Sequence, residues 1–413
     1  MNRFSRTKYT CYYSYLATAS IFTLPPMLFV TFHEMYNISY TLLGSLVLIN
    51  FCTQFLIDII FTAFAKFFNI KKAIRTMPVL VSTGLVVYAL FPTFLPGYAY
   101  IGFVMGTVLF SIASGLSEVL LSPVVASIPS DNPERDMSML HSLYAYGVLM
   151  VIVVSTVFFL IFGRENWAYL TLFFALLPLV SFVLFCTSPF PNVVISQEKS
   201  SKNNKERNKF LVLCMLCIFF GSGAELAMTS WVSGYTEKAL GLPKVWGDIL
   251  GMAGFAVLLG LTRTAYAKYG KNIIKMLTFS MIGATVCYVI AAICDNLIIS
   301  LSACALTGIF VSMLWPGTLI MMEEKIPGPG VTAYALMAAG GDFGGALSPQ
   351  ILGFVVDKVT ASKWAEQLAL NSSLSVDSIA MKTGMLSATI FPLLGTFVIL
   401  YIMKKYKSND ILK

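Results

Sequence analysis

Asp58, Glu118, Glu225 and Asp342 stand inside long hydrophobic runs of the chain, and His141 opens another. A carboxylate at the centre of a bilayer costs roughly 2.5–3.5 kcal/mol on insertion scales, so each needs a partner, a proton or water. Removal from water favours the protonated carboxyl, which suits such a group to taking up and releasing a proton. Glu118 has the richest surroundings. Ser111, Ser114, Gly115 and Ser122 recur at three- and four-residue spacing around it, five residues ahead of Pro123, and make a small polar stripe on one helix face. The spacing predicts a stripe lining a cavity, with Glu118 binding a proton and a hydroxylated solute in turn.

Other polar groups extend this constellation. Glu225 has Thr229 one turn later and Trp231 on another face, and Trp315 precedes Pro316; an indole can stack on a sugar ring. Asn50, Gln54 and Asp58 fall within about 80° on one helix face at 100° per residue. A stripe of that kind belongs to the bundle interior, Asn50 and Gln54 at the cavity and Asp58 at a gate or in a structural contact. Imidazole as a class titrates near neutrality, so His141, with Tyr144 one turn on, can pair with Glu118 or donate to a hydroxyl. Asp342 lies in Gly340-Gly341-Asp342-Phe343-Gly344-Gly345, first a device for close helix approach; beyond that its open readings are a gating pair with Arg263 or another cation, or a place in the pathway. Cys214 and Cys217 form a C-x-x-C inside an apolar span and read as packing, and with two histidines in the chain no typical metal site is expected.

The elements that carry these residues must be membrane helices. The chain has 413 residues, 57% apolar and 12% charged, about half the charged fraction of a soluble domain. That composition excludes a cytosolic enzyme, a secreted domain and a nucleic-acid binder, although the formal net charge is +8. About 20 apolar residues cross a bilayer, and charge-to-charge reading gives twelve spans, near 9–32, 41–65, 77–95, 99–124, 137–162, 167–188, 210–235, 246–266, 273–293, 297–322, 332–356 and 382–403. With both termini cytoplasmic, 22 of the 28 lysines and arginines fall on the inner side, as the positive-inside rule requires. Trp167, Trp246 and Trp364 sit at span edges or in a loop and read as interfacial anchors. Two six-helix bundles, 1–188 and 210–413, flank a basic linker over 189–209. Ala65-Lys66-Phe67 recurs as Ala267-Lys268-Tyr269, and Ile128-Pro129 as Ile326-Pro327, at offsets of 202 and 198 residues, which supports a parallel duplication.

The twelve spans, the central linker and the half-repeat resemble the major facilitator superfamily. Gly115-Leu-Ser-Glu118-Val-Leu-Leu-Ser-Pro123, then Asp131-Asn132-x-x-Arg135 and His141-Ser-Leu-Tyr144-x-x-Gly147, are similar to the fucose–galactose–proton symporters and their glucose-transporter-like relatives, as is Gly223-Ala-Glu225 with Trp231. The resemblance implies that Glu118 handles the proton and sugar and that His141 contacts the sugar. Two features depart from the pattern. The first span has no acidic residue between Tyr9 and Phe32, where the fucose symporters have one. The loop 65–75 keeps the basic end of the superfamily's gate motif and loses its glycines and acid.

The sequence therefore predicts an all-α integral membrane protein of twelve transmembrane helices in two pseudo-symmetric bundles, with no enzymatic activity and no cofactor beyond a coupling proton. The expected function is proton-coupled import of a monosaccharide or similar hydroxylated solute by alternating access, in the cell membrane, by a monomer whose partners are its solute and the lipid bilayer. Coupling falls to Glu118 and Glu225. Binding falls to Asn50, Gln54, Glu118, His141, Tyr144, Glu225, Trp231 and Trp315, and gating to Asp58, Arg263 and Asp342. A sugar uniporter and an exporter of amphipathic compounds are the alternatives.

Overall fold

Prolines and asparagines set where the helices bend and begin. In the computed structural model, which describes residues 4–64, 69–130, 133–191, 205–270, 272–326, 331–372 and 374–406, α1 (Ser5–Met27) ends just after Pro25 and Pro26. Neither proline has a backbone N–H to give the preceding turn, and the chain turns by 50° at Leu28 into α2 (Phe29–Tyr36). Asn37 then ends α2 in the left-handed region at φ 52°. The segment Ala65–Phe67, Pro327, most of the basic linker and the side chain of His141 lie outside the described residues.

The helices α3 (Tyr40–Phe64), α4 (Ile70–Phe94), α5 (Ala99–Ala126), α6 (Pro133–Phe162) and α7 (Trp167–Thr187) follow. The second half begins with α8 (Lys205–Lys238), 34 residues long, which at 1.5 Å per residue is about 51 Å and exceeds a bilayer core of about 30 Å. It starts inside the stretch assigned to the linker. Next, α9 (Lys244–Trp246) runs through a π-helical segment, Gly247–Ala253, into α10 (Gly254–Tyr269). After α11 (Ile273–Ile293), one span is broken at Ser312–Met313 into α12 (Leu297–Val311) and α13 (Leu314–Lys325). The chain ends with α14 (Val331–Thr360), the short α15 (Lys363–Leu370), and α16 (Val376–Ala388) and α17 (Ile390–Lys405), which meet at Thr389.

Among the described residues every regular element is helical. Nine helical spans among the described residues are long and apolar enough to cross a bilayer, or ten with the bent α1–α2 pair. The 30-residue helices α6 and α14 complete twelve crossings. Asn69 caps α4 by accepting from the Lys72 N–H, and Asn272 caps α11 by accepting from the Lys275 N–H, both at 3.1 Å. The third span of each half thus starts on the same Asn-x-x-Lys device.

Contacts divide the chain into two units, 1–38 with 49–196 and 39–48 with 197–413. The first turns of α3 therefore group with the second unit, which the division at the linker did not assign. In the first unit, Phe32 stacks on Phe103 with ring centroids 4.1 Å apart and meets Trp167 edge-on at 4.8 Å, with Tyr88 beside them. Each such pair adds about 0.5–1.5 kcal/mol beyond area burial. Trp167, expected as an interfacial anchor, is only 1% exposed and belongs to this core. Trp246 and Trp364 are exposed.

In the second unit the glycine run of α14 meets α8 with almost no space between. A Cβ on Gly340 would touch Met215, one on Gly345 would touch Leu226, and one on Gly344 would collide with the backbone carbonyl of Phe219. Gly341 leaves room for the ring of Trp315. The expected close-approach role of this run rests on those four contacts.

Candidate functional site

In the first unit, α3 and α5 present polar residues to each other in register. The amide Nε2 of Gln54 donates to Asn50 Oδ1 at 3.0 Å, and Ser111 Oγ donates to that same Oδ1 at 2.6 Å. One turn on, Ser114 Oγ donates to Gln54 Oε1 at 3.0 Å. One further turn brings Asp58 and Glu118 together, each with a carboxylate oxygen within 4.8 Å of the other's. Two neutral rungs and one of paired acids make a ladder. Gly115 lies against the Gln54 carbonyl and keeps the helices close enough for it.

The rungs differ in access. Asn50 and Gln54, expected at a cavity, are 6% and 3% exposed and engaged by the serines. Glu118 is exposed although it lies well inside α5. It does not share the side of α5 that carries the exposed apolar residues Ile101 and Met105, which lie about 100–140° around the helix at 100° per residue. One oxygen of Asp58, Oδ1, is buried with no hydrogen-bond partner among the described residues. Glu118 acts electrostatically on Asp58 and on Tyr15 of α1. The structure thus puts Asp58, expected at a gate, beside Glu118. Tyr144 packs edge-on against Phe22 with centroids 5.8 Å apart.

The second unit carries an ion pair. Arg263 Nη2 donates to Glu225 Oε1 at 3.2 Å and Oε2 at 3.4 Å, and Arg263 Nε donates to the Ser312 carbonyl at 2.8 Å. Ser312 sits in the break between α12 and α13, where carbonyls lose their helical partners, so the guanidinium serves the break as well as the acid. Of the partners left open for Asp342, Arg263 is engaged with Glu225 and Ser312. Asp342 is buried on α14 at 6% exposure. Trp231, expected to stack on a solute, is 1% exposed. Its Nε1 donates to the Pro349 carbonyl at 3.1 Å and its ring meets Tyr40. Trp315 is half-buried over Gly341.

One cluster was not singled out from the sequence. Lys244 and Asp248, with side chains 5% and 1% exposed, pair at 3.4 Å. Ser233 Oγ donates to Asp248 Oδ1 at 2.5 Å and accepts from Lys244 Nζ at 2.8 Å. Asp248 lies in the π-helical segment, where Gly247 and Gly251 bring the backbone against Thr236. The four-residue spacing of a lysine and an aspartate at a span edge was the available signal.

A family model for the Major Facilitator Superfamily matches residues 12–349. No curated protein sequence matches the chain. Among solved structures, a bacterial homologue of the human lysosomal transporter Spinster, in an inward-facing and occupied conformation, shares the fold with a TM-score of 0.75 at 12% identity, over 98% of each chain. The nucleoside transporter NupG does so at 0.69 and 15% identity, over 98% of this chain and all (100%) of its own. The Escherichia coli fucose:proton symporter FucP does so at 0.61 and 14% identity, over 97% of this chain and 99% of its own. The match to the family model spans most of the sequence, so this chain belongs to the Major Facilitator Superfamily and is a multi-pass membrane transporter, not an enzyme.

Proposed function

We propose that the protein carries a small hydroxylated solute of the monosaccharide class together with a proton, by alternating access. The observation that supports this most is the acid pair at the foot of the α3–α5 ladder, Asp58 beside an exposed Glu118. Two carboxylates that close repel when both are ionised, so the pair favours holding one proton between them. Glu118 is the exchanging member and Asp58 the group that makes the exchange responsive to charge. Glu225 is the second candidate for coupling, exchanging a proton when its contact with Arg263 opens.

The fucose:proton symporter among the structural neighbours is in keeping with a sugar and a proton, while the nucleoside and Spinster-like transporters show that this fold serves other cargo. The lysine and arginine bias supports a cell-membrane protein with both termini cytoplasmic. Binding is assigned to Glu118, Tyr144, His141, Glu225 and Trp315. Asn50, Gln54 and Trp231, whose polar atoms are engaged inside the units, hold the helices that carry the site.

The test is solute-driven proton uptake by the purified protein in proteoliposomes, across a panel of hexoses, for wild type and Glu118→Gln. A sugar that drives alkalinisation outside in wild type, with the variant losing that signal and keeping sugar counterflow, supports proton symport through Glu118. Sugar exchange with no proton signal in wild type makes the chain a uniporter and removes the coupling role. If no hexose moves, the assignment to a neutral monosaccharide falls.

A further inference from the structure

The guanidinium of Arg263 is held by one edge and open at another. Nε is fixed on the Ser312 carbonyl at 2.8 Å, an anchor that sets the plane of the group. The acid contact is weaker than its charges allow: the single nitrogen Nη2 is shared between the two oxygens of Glu225 at 3.2 and 3.4 Å. A charge-assisted bond of this type is usually about 2.7–2.9 Å, and an arginine normally meets a carboxylate with two parallel N–H groups. Nη1 has no hydrogen-bond partner among the described residues, and the side chain keeps 36% of its surface accessible. This access is not on the apolar outer face of α10. The exposed residues Val257 and Leu261 lie about 120–160° around the helix from Arg263 at 100° per residue.

An intramembrane arginine with a fixed plane, a loosely held counter-ion and free donors is a receptor for an oxyanion. We infer that Arg263 binds an anionic group on the transported solute, so that the cargo is a hydroxylated small molecule bearing a carboxylate or phosphate. This rests on the proposal that the cargo is a hydroxylated solute, and names its charge. An incoming oxyanion takes Nη1 and Nη2 side by side, the geometry Glu225 does not satisfy, and displaces Glu225 from Nη2. Glu225 is the resident competitor that the solute must replace, so an empty site does not leave an intramembrane cation unpaired.

The inference is tested on the purified full chain with three probes, glucose, glucuronate and glucose 6-phosphate, by ligand-induced thermal shift and by counterflow in proteoliposomes. At least one of the two anions is expected to bind more tightly than glucose, and which one separates a carboxylate from a phosphate. Arg263→Lys keeps the charge and loses the planar fork, so anion affinity should fall by roughly tenfold or more. Glu225→Gln removes the competing charge at nearly constant shape and should tighten anion binding by roughly tenfold, since a surrendered ion pair is an unfavourable part of binding. A structural role for the pair predicts no such gain. Should Arg263→Lys fail to fold, Glu225→Gln decides alone. Glucose carried equally by wild type and Arg263→Lys, with neither anion bound, overturns the inference and leaves the proposed function standing. Anion binding weakened by Glu225→Gln also overturns it. If neither neutral nor anionic probe binds or moves, the hydroxylated-solute reading itself fails, and this inference with it.

Discussion

Asp357 and Tyr40, 317 residues apart, meet as a cap and a helix start. One carboxylate oxygen of Asp357 accepts from the Tyr40 N–H at 3.0 Å and the other from the Thr41 N–H at 2.6 Å. The first backbone donors of a helix have no partner within it, and a negative charge there also meets the positive end of the helix dipole. Here α14 supplies the cap for α3, while Gly353 brings its backbone against the Tyr40 carbonyl and Gly44 rests on Pro349. This explains why residues 39–48 belong to the second unit although the rest of α3 belongs to the first.

Removing that cap should be measurable. Asp357→Ala should cost about 0.5–2 kcal/mol, the usual loss for an N-cap. Asp357→Asn keeps an acceptor and loses the charge, and should cost less, about 0.3–1 kcal/mol. Thermal unfolding of the purified protein in detergent reads both. Equal stability of wild type and Asp357→Ala would mean the two N–H groups find water instead.

The acid pair predicts dependence between two sites. If Asp58 and Glu118 hold one proton in common, neutralising either leaves the other without the neighbour that tunes it. Asp58→Asn should then reduce solute-driven proton uptake about as severely as Glu118→Gln. The double variant should be no worse than either single one, because residues in contact are not additive. Counterflow in proteoliposomes should persist in all three. Losses of the two single variants that multiply in the double one would make the sites independent, and Asp58 would revert to a gate.

Close approach of α14 to α8 gives a steric prediction with an internal control. Gly344→Ala drives a methyl group into the Phe219 carbonyl, which is backbone and cannot rotate away, and overpacking of this kind costs about 1–3 kcal/mol. A Cβ on Gly97 meets nothing within 4 Å, so Gly97→Ala should stay within about 0.5 kcal/mol of wild type. Unfolding midpoints of the two variants in the same detergent compare them directly. A tolerated Gly344→Ala would show that the helices separate by a few tenths of an ångström at little cost.

How much of this was legible depended on whether one segment or two had to be read. The spans, their ends and the glycine run are local, and hydropathy and spacing disclose them. The stripe of Asn50, Gln54 and Asp58 and the stripe of Ser111, Ser114 and Glu118 were each visible as helix faces. That they face one another in register was not, because spacing along one helix carries no information on its rotation against another. Trp167 was misplaced for a related reason: an indole near a span end looks the same in sequence whether it meets lipid or the rings of another helix, and nothing along the chain disclosed the bond of Trp231 to a proline carbonyl. Arg263 stood near the end of the span 246–266, and its contact with Glu225, which joins two helices, was not legible.

Lys244 falls between the spans 210–235 and 246–266 in the sequence, and its burial leads to the last prediction. With Asp248 it forms an ion pair whose side chains are 5% and 1% exposed, bridged by Ser233. Taking two charges out of water is costly, and their attraction offsets the cost only when both are present. Either single change, Lys244→Met or Asp248→Leu, strands the other charge and should cost about 3–5 kcal/mol. The double change removes both charges and keeps similar volumes, so it should recover most of that loss, since replacing a buried pair by apolar residues is often neutral. The π-helical segment sharpens the test, because such segments tend to sit at functional sites. If the double variant regains its unfolding temperature and still transports, the pair is structural. If it regains stability and loses transport, the charges themselves are needed for the cycle, and the wide turn at Asp248 is where to look for the movement.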